Sequence, residues 1–412
     1  MSTLPSPTPP APVPDLAGTA GGDPIATDPA VGVLGAGAAE PGVVAGARGG
    51  GPAGAADEPA GAPHAAVGPM AVGGSAAAGG PAGGDAAAGA VGDVLVAIRE
   101  RLLAWYAVHE RDLPWREPGT TAWGVLVSEV MSQQTPVARV APRWREWMTR
   151  WPGPAELAAA PVADVLRAWD RLGYPRRALR LRECAAVVAQ AWGGELPRSE
   201  AELRTLPGVG DYTAAAVVAF AYGGRAVVLD TNVRRVLGRL LGGEALPPPT
   251  LTAAERRRAA TVLPEEPGLS ARWNVALMEL GALVCTAGAP ACDECPVRDW
   301  CAWRAAGYPR DEHAGRRRTQ AWHGTDRQVR GRVMALLRGA GDDVVELSDI
   351  EAELAGIEPE QLARALAGLV ADGLAVRVGG DAGADQDAGG RAVAAGEPGD
   401  AGVPPVGYAL PR

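Results

Sequence analysis

Cys285-Thr286-Ala287-Gly288-Ala289-Pro290-Ala291-Cys292-Asp293-Glu294-Cys295-Pro296-Val297-Arg298-Asp299-Trp300-Cys301 holds four of the five cysteines in a chain of 412 residues. Five cysteines are too few for the disulfide framework of a secreted scaffold, and crowding of this kind points to metal or iron–sulfur ligation. Four thiolates so close in sequence can surround one compact centre. A zinc ion held by four cysteines is one reading, although such sites more often use two separated Cys-x2-Cys pairs. Here one such pair stands between two single cysteines, and an iron–sulfur cluster is the other reading. The fifth, Cys184, lies in an apolar helical run and is expected to be a buried small hydrophobe.

Upstream of the cysteines, apolar residues recur at helical spacing from Val94 to Tyr106 and over 121–134, 137–150, 155–159, 161–171, 176–192, 199–205, 211–222, 231–241, 252–263 and 271–284. Short Gly/Pro breaks separate these runs, and no alternating strand is apparent between 94 and 310, so an all-α core is expected. Between two runs stands Leu206-Pro207-Gly208-Val209-Gly210. Its glycines permit a tight turn and close approach to another surface, and the amides opening the next helix can bind a phosphate. By itself the pentapeptide is also an ordinary helix–helix turn. Asp230 follows Val227-Val228-Leu229 and heads the run at 231, which suits a helix N-cap. A carboxylate held there stays ionised and can face a developing cation. Glu129 lies in the apolar run Val125-Leu126-Val127-Ser128-Glu129-Val130-Met131. It occupies either a solvated face or a pocket, and in a pocket burial would make it a usable general acid.

Composition bounds the rest. All 39 basic residues are arginine, so chemistry that needs a lysine amine is excluded. Residues 91–340 carry 34 basic and 27 acidic groups, whereas 1–90 carry 1 and 7 and 341–412 carry 4 and 14. The basic middle favours a nucleic-acid surface, and Arg171–Arg182 and Arg234–Arg239 are the stretches expected to contact a phosphate backbone. No apolar run is long enough to span a membrane, and the N-terminus lacks a secretory signal pattern. Residues 1–92 are rich in Ala, Gly and Pro without hydrophobic period and are expected to be disordered. A linker over 311–324 precedes a small acidic domain over 325–412. Three helices (326–339, 347–354, 359–373), a strand at 374–378, a Gly/Ala/Asp insert at 379–404 and a partner strand at 406–410 predict a winged-helix-like α+β unit.

Over residues 93–310 the chain resembles the endonuclease III superfamily of helix-hairpin-helix DNA glycosylases. Five motifs stand in the family's order. They are Leu113-Pro114-Trp115-Arg116, the stretch Ser128-Glu129-Val130-Met131-Ser132-Gln133-Gln134-Thr135, the hairpin with Asp230, Asn274-x-Ala276-Leu277-Met278-Glu279-Leu280-Gly281-Ala282, and the 6-2-5 cysteine spacing. The second resembles the catalytic helix of MutY-type adenine DNA glycosylases. The resemblance implies a two-lobed fold with a [4Fe–4S] cluster on Cys285, Cys292, Cys295 and Cys301. It implies that Leu206, Pro207, Gly208, Val209 and Gly210 hold DNA by its backbone, that Glu129 protonates a flipped adenine, and that ionised Asp230, with Asn232 beside it, stabilises the sugar cation. Tyr212 matches the position of endonuclease III's catalytic lysine, which implies a glycosylase without lysine-dependent lyase activity. Gln133 belongs to the segment that touches DNA, Gln134 and Tyr174 resemble wedges inserted into the base stack, and Arg116 and Glu279 correspond to residues near the base. The implied partner is double-stranded DNA bearing adenine mispaired with 8-oxoguanine or guanine. The implied product is an abasic site, and the protein is expected to act as a monomer in the cytoplasm at the nucleoid. No Nudix box follows Arg310, so a Nudix-like reader of 8-oxoguanine is not expected. A thymine or uracil mismatch glycosylase on the same scaffold is a second reading. A non-catalytic iron–sulfur DNA-binding protein is a third, against which Glu129 and Asp230 together argue.

Overall fold

A long helix, α1 (Gly84–His109), opens the part of the chain that the computed structural model describes, residues 84–316, 322–379 and 405–412. It begins inside the stretch expected to be disordered; Ala86-Ala87-Ala88 has high helix propensity and lets the helix start earlier. The rest of that expected tail, and most of the insert at 379–404, lie outside the described residues. The helices that follow are α2 (Ala122–Ser132), α3 (Val137–Arg150), α4 (Pro154–Ala159), α5 (Val162–Trp169), α6 (Arg176–Ala191), α7 (Glu200–Leu203) and α8 (Asp211–Phe220). Then come α9 (Thr231–Gly242), α10 (Ala253–Val262), α11 (Pro267–Leu283) and α12 (Ala302–Ala305). Side-chain caps set several starts. Thr121 accepts the Gly124 amide, Asp230 the Val233 amide, and Thr252 and Glu255 form a reciprocal capping box. Helix α11 starts before the expected residue 271 because Glu266 caps it and Pro267 occupies its first position.

Two lobes result. In the first, α2 to α8 surround Leu126, Met131, Trp147, Leu166, Trp169 and Leu203. Trp147 meets Trp151 and Trp169 edge-on, with ring centroids 4.7 and 5.7 Å apart. In the second, α1 and α9 to α11 bury Ile98, Leu102, Leu240, Trp273, Leu277 and Leu280, with Cys285, Cys295 and Cys301 packed against this core. Two glycines are demanded by the packing. A side chain on Gly281 would meet Cβ of Asn232 at 2.6 Å, so α9 and α11 approach this closely only over glycine. Gly208 has φ +78° and the space beside it is taken by Arg180 Cβ at 3.0 Å, so the hairpin needs glycine for both turn and contact.

The C-terminal region consists of α13 (Asp326–Gly339), α14 (Leu347–Glu353) and α15 (Pro359–Ala371) with β1 (Val345–Glu346), β2 (Val376–Val378) and β3 (Gly407–Ala409). The sheet is antiparallel in the order β1-β3-β2, with Val345 opposite Tyr408 and Arg377 opposite Tyr408 on the other side. The two-stranded wing read from the sequence is thus a three-stranded sheet. The added strand is two residues long, too short to show a period. Val329, Val333 and Leu337 of α13 join the core of the first lobe, so this region packs on the glycosylase-like part of the chain. Among the described residues no helix is long and apolar enough to cross a membrane.

The arginines expected on a DNA surface at 234–239 are instead buried: Arg234, Arg235 and Arg239 are 7%, 9% and 3% exposed. Arg234 pairs with Glu255 at 2.7 Å and also donates to the Pro248 and Thr250 carbonyls. A charge run read as a surface is here a row of struts, because a guanidinium has enough donors to satisfy several buried carbonyls at once. Removing one partner of a buried pair strands the other. Glu255→Ala is therefore expected to lower unfolding stability by about 3–5 kcal/mol, read as the shift in urea midpoint; a loss below about 1 kcal/mol would show the pair to be solvent-compensated.

Candidate active site

The two lobes leave a cleft of about 1500 Å³ between them, lined by residues of α2, α8, α9 and α11 and by the loops at 113–117, 133–136 and 246–251. Glu129, Tyr212 and Asp230 all line it, as do Arg116, Gln133, Gln134, Asn232, Gly208 and Gly210. The hairpin's Leu206 and Val209 point into the core instead, which leaves its glycine backbone toward the opening.

Glu129 sits in the middle of α2, 9% exposed, so the pocket rather than the solvated face is its setting. The Tyr212 hydroxyl on α8 donates to its Oε2 at 2.8 Å. Burial, with the nearby Asp230 charge adding to it, pushes the Glu129 carboxyl up to about 7, against the lowering pull of Tyr212 and Arg116. Burial and the same carboxylate hold the Tyr212 hydroxyl well above its usual range, so it remains a donor. Asp230 caps α9, accepting the Val233 amide at 2.6 Å and the Asn232 side-chain amide at 2.7 Å. Burial raises its carboxyl too, while these two donors and Arg235 work in the opposite direction. Glu129 accepts one side-chain hydrogen bond where Asp230 accepts donors on both oxygens, so Asp230 is the better furnished of the two to carry a negative charge.

A chain of hydrogen bonds leads from this carboxylate to the cysteine loop. Asn232 Oδ1 accepts from Arg235 at 2.7 Å, and Arg235 donates on to the Cys285 and Gly281 carbonyls at 2.7 and 2.8 Å. One helical turn further, Arg239 donates to the Thr286 carbonyl at 2.7 Å and approaches the Cys285 sulfur at 3.4 Å, its guanidinium 4.4 Å over the Trp303 ring. All four cysteines of the loop are free and half-buried. Among the described residues no three ligating side chains are gathered as a single-ion centre. Burial pushes the Cys295 thiol up to about 12, and Cys285, Cys301 and Cys292 add to the shift. Thiolates this near one another are stable only against compensating cationic charge, which an iron–sulfur cluster supplies, and Arg239 adds a donor toward one sulfur. The donor set therefore fits a cluster. Cys184 is fully buried among apolar neighbours, its thiol raised to about 12 by burial, and belongs to the core.

Glu279 differs from its expected place beside the base. Its carboxylate is wholly buried and taken by Arg111 Nε at 2.8 Å, the Arg111 amide at 2.8 Å and Arg116 Nη2 at 2.9 Å. Burial opposes the charge, but these donors win and hold the carboxyl down at about 2. Glu279 thus orients Arg116, which faces the cleft, rather than lining it. Arg111 carried no motif in the sequence, since its partner lies 168 positions away. The Pro247-Pro248-Pro249 loop on the cleft wall was missed as well, although its triple proline is a visible signal of a rigid loop. Arg177 was read as a phosphate contact, yet it donates to the Val130 and Gln133 carbonyls at 2.7 Å each and to those of Leu172 and Gly173 at 3.1 and 3.0 Å. It ties the Gln133–Thr135 loop to the loop that carries Tyr174. Gln134 and Tyr174 both have positive φ, 55° and 47°, in side-chain-bearing residues that rarely adopt it. Tyr174 is 39% exposed and does not line the cleft.

A hairpin between α7 and α8, two buried carboxyls in one cleft and a four-cysteine loop together define a helix-hairpin-helix DNA repair protein. The profile of HhH-GPD superfamily base excision DNA repair proteins matches residues 127–260, and that of the iron–sulfur binding domain of endonuclease III matches 285–301. The chain is 50% identical over 277 residues to an adenine DNA glycosylase of Mycobacterium tuberculosis H37Rv, covering 67% of this chain and 89% of the relative. It is 47% identical over 310 residues to one of Mycolicibacterium smegmatis, covering 74% and 97%. A thymine-DNA glycosylase of Aeropyrum pernix is 34% identical over 212 residues, 50% of this chain and 93% of that protein. The chain belongs to the adenine DNA glycosylase family, and it carries that superfamily's iron–sulfur cluster on the 285–301 loop.

The raised carboxyl has a thermodynamic signature. Folding favours protonated Glu129, so its contribution is intact below its ordinary value of 4.5 and is lost as pH rises through about 7. Glu129→Gln is expected to be more stable than wild type at about pH 8, by up to roughly 3 kcal/mol, and equally stable near pH 4.5. Thermal melts at the two pH values check this; equal melting temperatures at both would mean that Glu129 is solvated.

Proposed function

We propose that this protein removes adenine mispaired with 8-oxoguanine or guanine in double-stranded DNA, by hydrolysis and without lyase chemistry. The observation that carries the reading is Glu129, buried, bonded to Tyr212 at 2.8 Å and raised to about 7, in one cleft with Asp230. The adenine swings out of the duplex into the cleft. Tyr212 occupies Glu129 Oε2, so the proton rides on Oε1 and passes to adenine N7. The bond from the sugar to N9 then breaks with its electron pair going to the base. Positive charge develops on the sugar, and Asp230, fixed by Val233 and Asn232, stabilises it. Water adds to the sugar carbon, its proton returns to Glu129, and an abasic site remains. No lysine exists to form a Schiff base with that sugar. Gln134 and Tyr174 act as the wedges that fill the gap, Gln133 and the hairpin amides hold the strand, and Arg116 faces the base. Residues 93–310 form the glycosylase domain, and the protein works as a monomer in the cytoplasm at the nucleoid.

Glu129→Gln and Asp230→Asn are each expected to slow single-turnover adenine release by at least ~100-fold while leaving duplex affinity within a few-fold. The wild-type rate is expected to fall as pH rises through about 7, where Glu129 loses its proton. Duplexes bearing A opposite 8-oxoguanine, A opposite G and T opposite G test the substrate. Release of thymine in preference to adenine would favour the mismatch-thymine reading that the Aeropyrum relative suggests.

A further inference from the structure

Val125, Glu129 and Ser132 recur at helical spacing along α2 and line the cleft, with Gln133 at the helix end beside them. Two of the three polar groups on this face are tied to α8. Glu129 accepts from Tyr212 at 2.8 Å, and Gln133 Nε2 lies 3.5 Å from Thr213 Oγ1. Between them stands Ser132, half-buried, whose hydroxyl has no partner among the described residues. The other hydroxyl side chains from 120 to 135 are all committed. Thr120 donates to the Pro114 carbonyl at 3.4 Å, Thr121 accepts the Gly124 amide at 3.1 Å, and Thr135 donates to the Leu172 carbonyl at 2.8 Å. Ser128, on the core side of the same helix, donates to the Val125 carbonyl at 2.7 Å. A serine of α2 thus satisfies itself where it is shut in, and Ser132, on the cleft, does not.

Much of the cleft wall is apolar, from Leu113, Trp115, Val125 and Leu229. In such surroundings a hydroxyl gains by meeting a polar group of a ligand and loses when the ligand offers none. Its position narrows what it meets. Residues three apart on a helix are neighbours, with Cβ atoms about 5–6 Å apart, so Ser132 stands one turn from the carboxyl proposed to protonate the base. Adenine carries its N7 acceptor and its 6-amino donor side by side on one edge. A base that presents N7 to Glu129 turns the amine toward the same helix face. The amine needs an acceptor there, and a serine hydroxyl accepts as well as donates.

We propose that Ser132 accepts a hydrogen bond from the 6-amino group of the extruded adenine and favours the release of bases that carry this amine; this rests on the proposed removal of adenine. The contact has a part in the rate as well as in selection. When N7 takes the Glu129 proton, positive charge spreads through the ring onto the amine, and its N–H becomes a stronger donor. The bond to Ser132 tightens as the bond from the sugar to N9 breaks, so it speeds release more than it strengthens binding. A base without the amine leaves the hydroxyl unpaired and forgoes this help.

The test compares Ser132→Ala with the parent protein, both full-length and cluster-bearing, on two duplexes. One carries adenine opposite 8-oxoguanine. The other carries purine there, which keeps N7 and lacks the amine. Single-turnover base release and duplex affinity are measured for each. Ser132→Ala is expected to slow adenine release about tenfold, as loss of a hydrogen bond to a charged partner does, with affinity unchanged. Purine release is expected to keep the parent rate, which also shows that the variant folds and retains its catalytic carboxyls. Equal slowing on both duplexes overturns the proposal, because the hydroxyl then acts through something other than the amine. Unchanged adenine release overturns it too, and weaker binding at an unchanged rate places Ser132 on the strand instead of the base. Failure of the parent to release adenine at all would instead overturn the functional reading beneath it.

Discussion

The Tyr212 hydroxyl on the Glu129 carboxyl joins α2 to α8 at the point where both helices face the cleft. An unpaired carboxylate in that position would be costly, since burial penalises its charge. The tyrosine offers one donor, enough to orient the group but too little to hold it ionised, and the result is a carboxyl that holds its proton up to about 7. Asp230 has the opposite furnishing: a backbone amide, a side-chain amide and a guanidinium behind it. Two carboxyls in one cleft thus differ by their hydrogen-bond donors rather than by their chemistry, and the proposed division of labour follows from that difference.

Arginine does most of the fastening around them. A chain without lysine has only guanidinium groups as cations apart from its four histidines and its N-terminus. Arg235 and Arg239 bolt α9, with Asp230 at its head, to the cysteine loop. Arg111 and Arg116 close on Glu279 and so fix the 111–116 segment against α11. Arg177 binds the two rim loops to the end of α2. In each case several carbonyls or a carboxylate converge on one planar fork, which explains how polar groups fill the junctions of two lobes with few buried donors left over. Lysine, with a compact head and a mobile stem, would not hold such sets together.

The expectations drawn from residue order fared according to how local their cause was. Asp230 was legible as an N-cap and Glu129 as a carboxylate in an apolar helix, but the helix left Glu129 either solvated or in a pocket and only the family motif chose the pocket; the two do line one cleft. The hairpin glycines were likewise legible, because a turn with φ +78° is a local demand. Glu279 was placed near the base by motif alone, whereas two arginines turn it inward. The charge runs misled for the same reason: a sequence counts cations but does not say whether carbonyls from elsewhere will meet them. The winged region was read with one strand too few, since a two-residue strand exists only through its partner.

Spacing and residue type alone therefore pointed to the helical class, excluded lysine chemistry and narrowed the four-cysteine loop to a zinc or an iron–sulfur site, while the family resemblance chose the cluster and put Glu129 in a pocket with Asp230 facing the sugar. The readings from spacing and type rest on covalent order, caps and turns, which act over a handful of positions. Tertiary structure decided which arginines are struts and which face outward, which of the two carboxyls receives more hydrogen-bond donors, and that Glu279 turns inward onto Arg111 and Arg116. Each of those depends on burial or on a partner scores of positions distant, and the free energy of a charge is set by whatever the fold brings beside it.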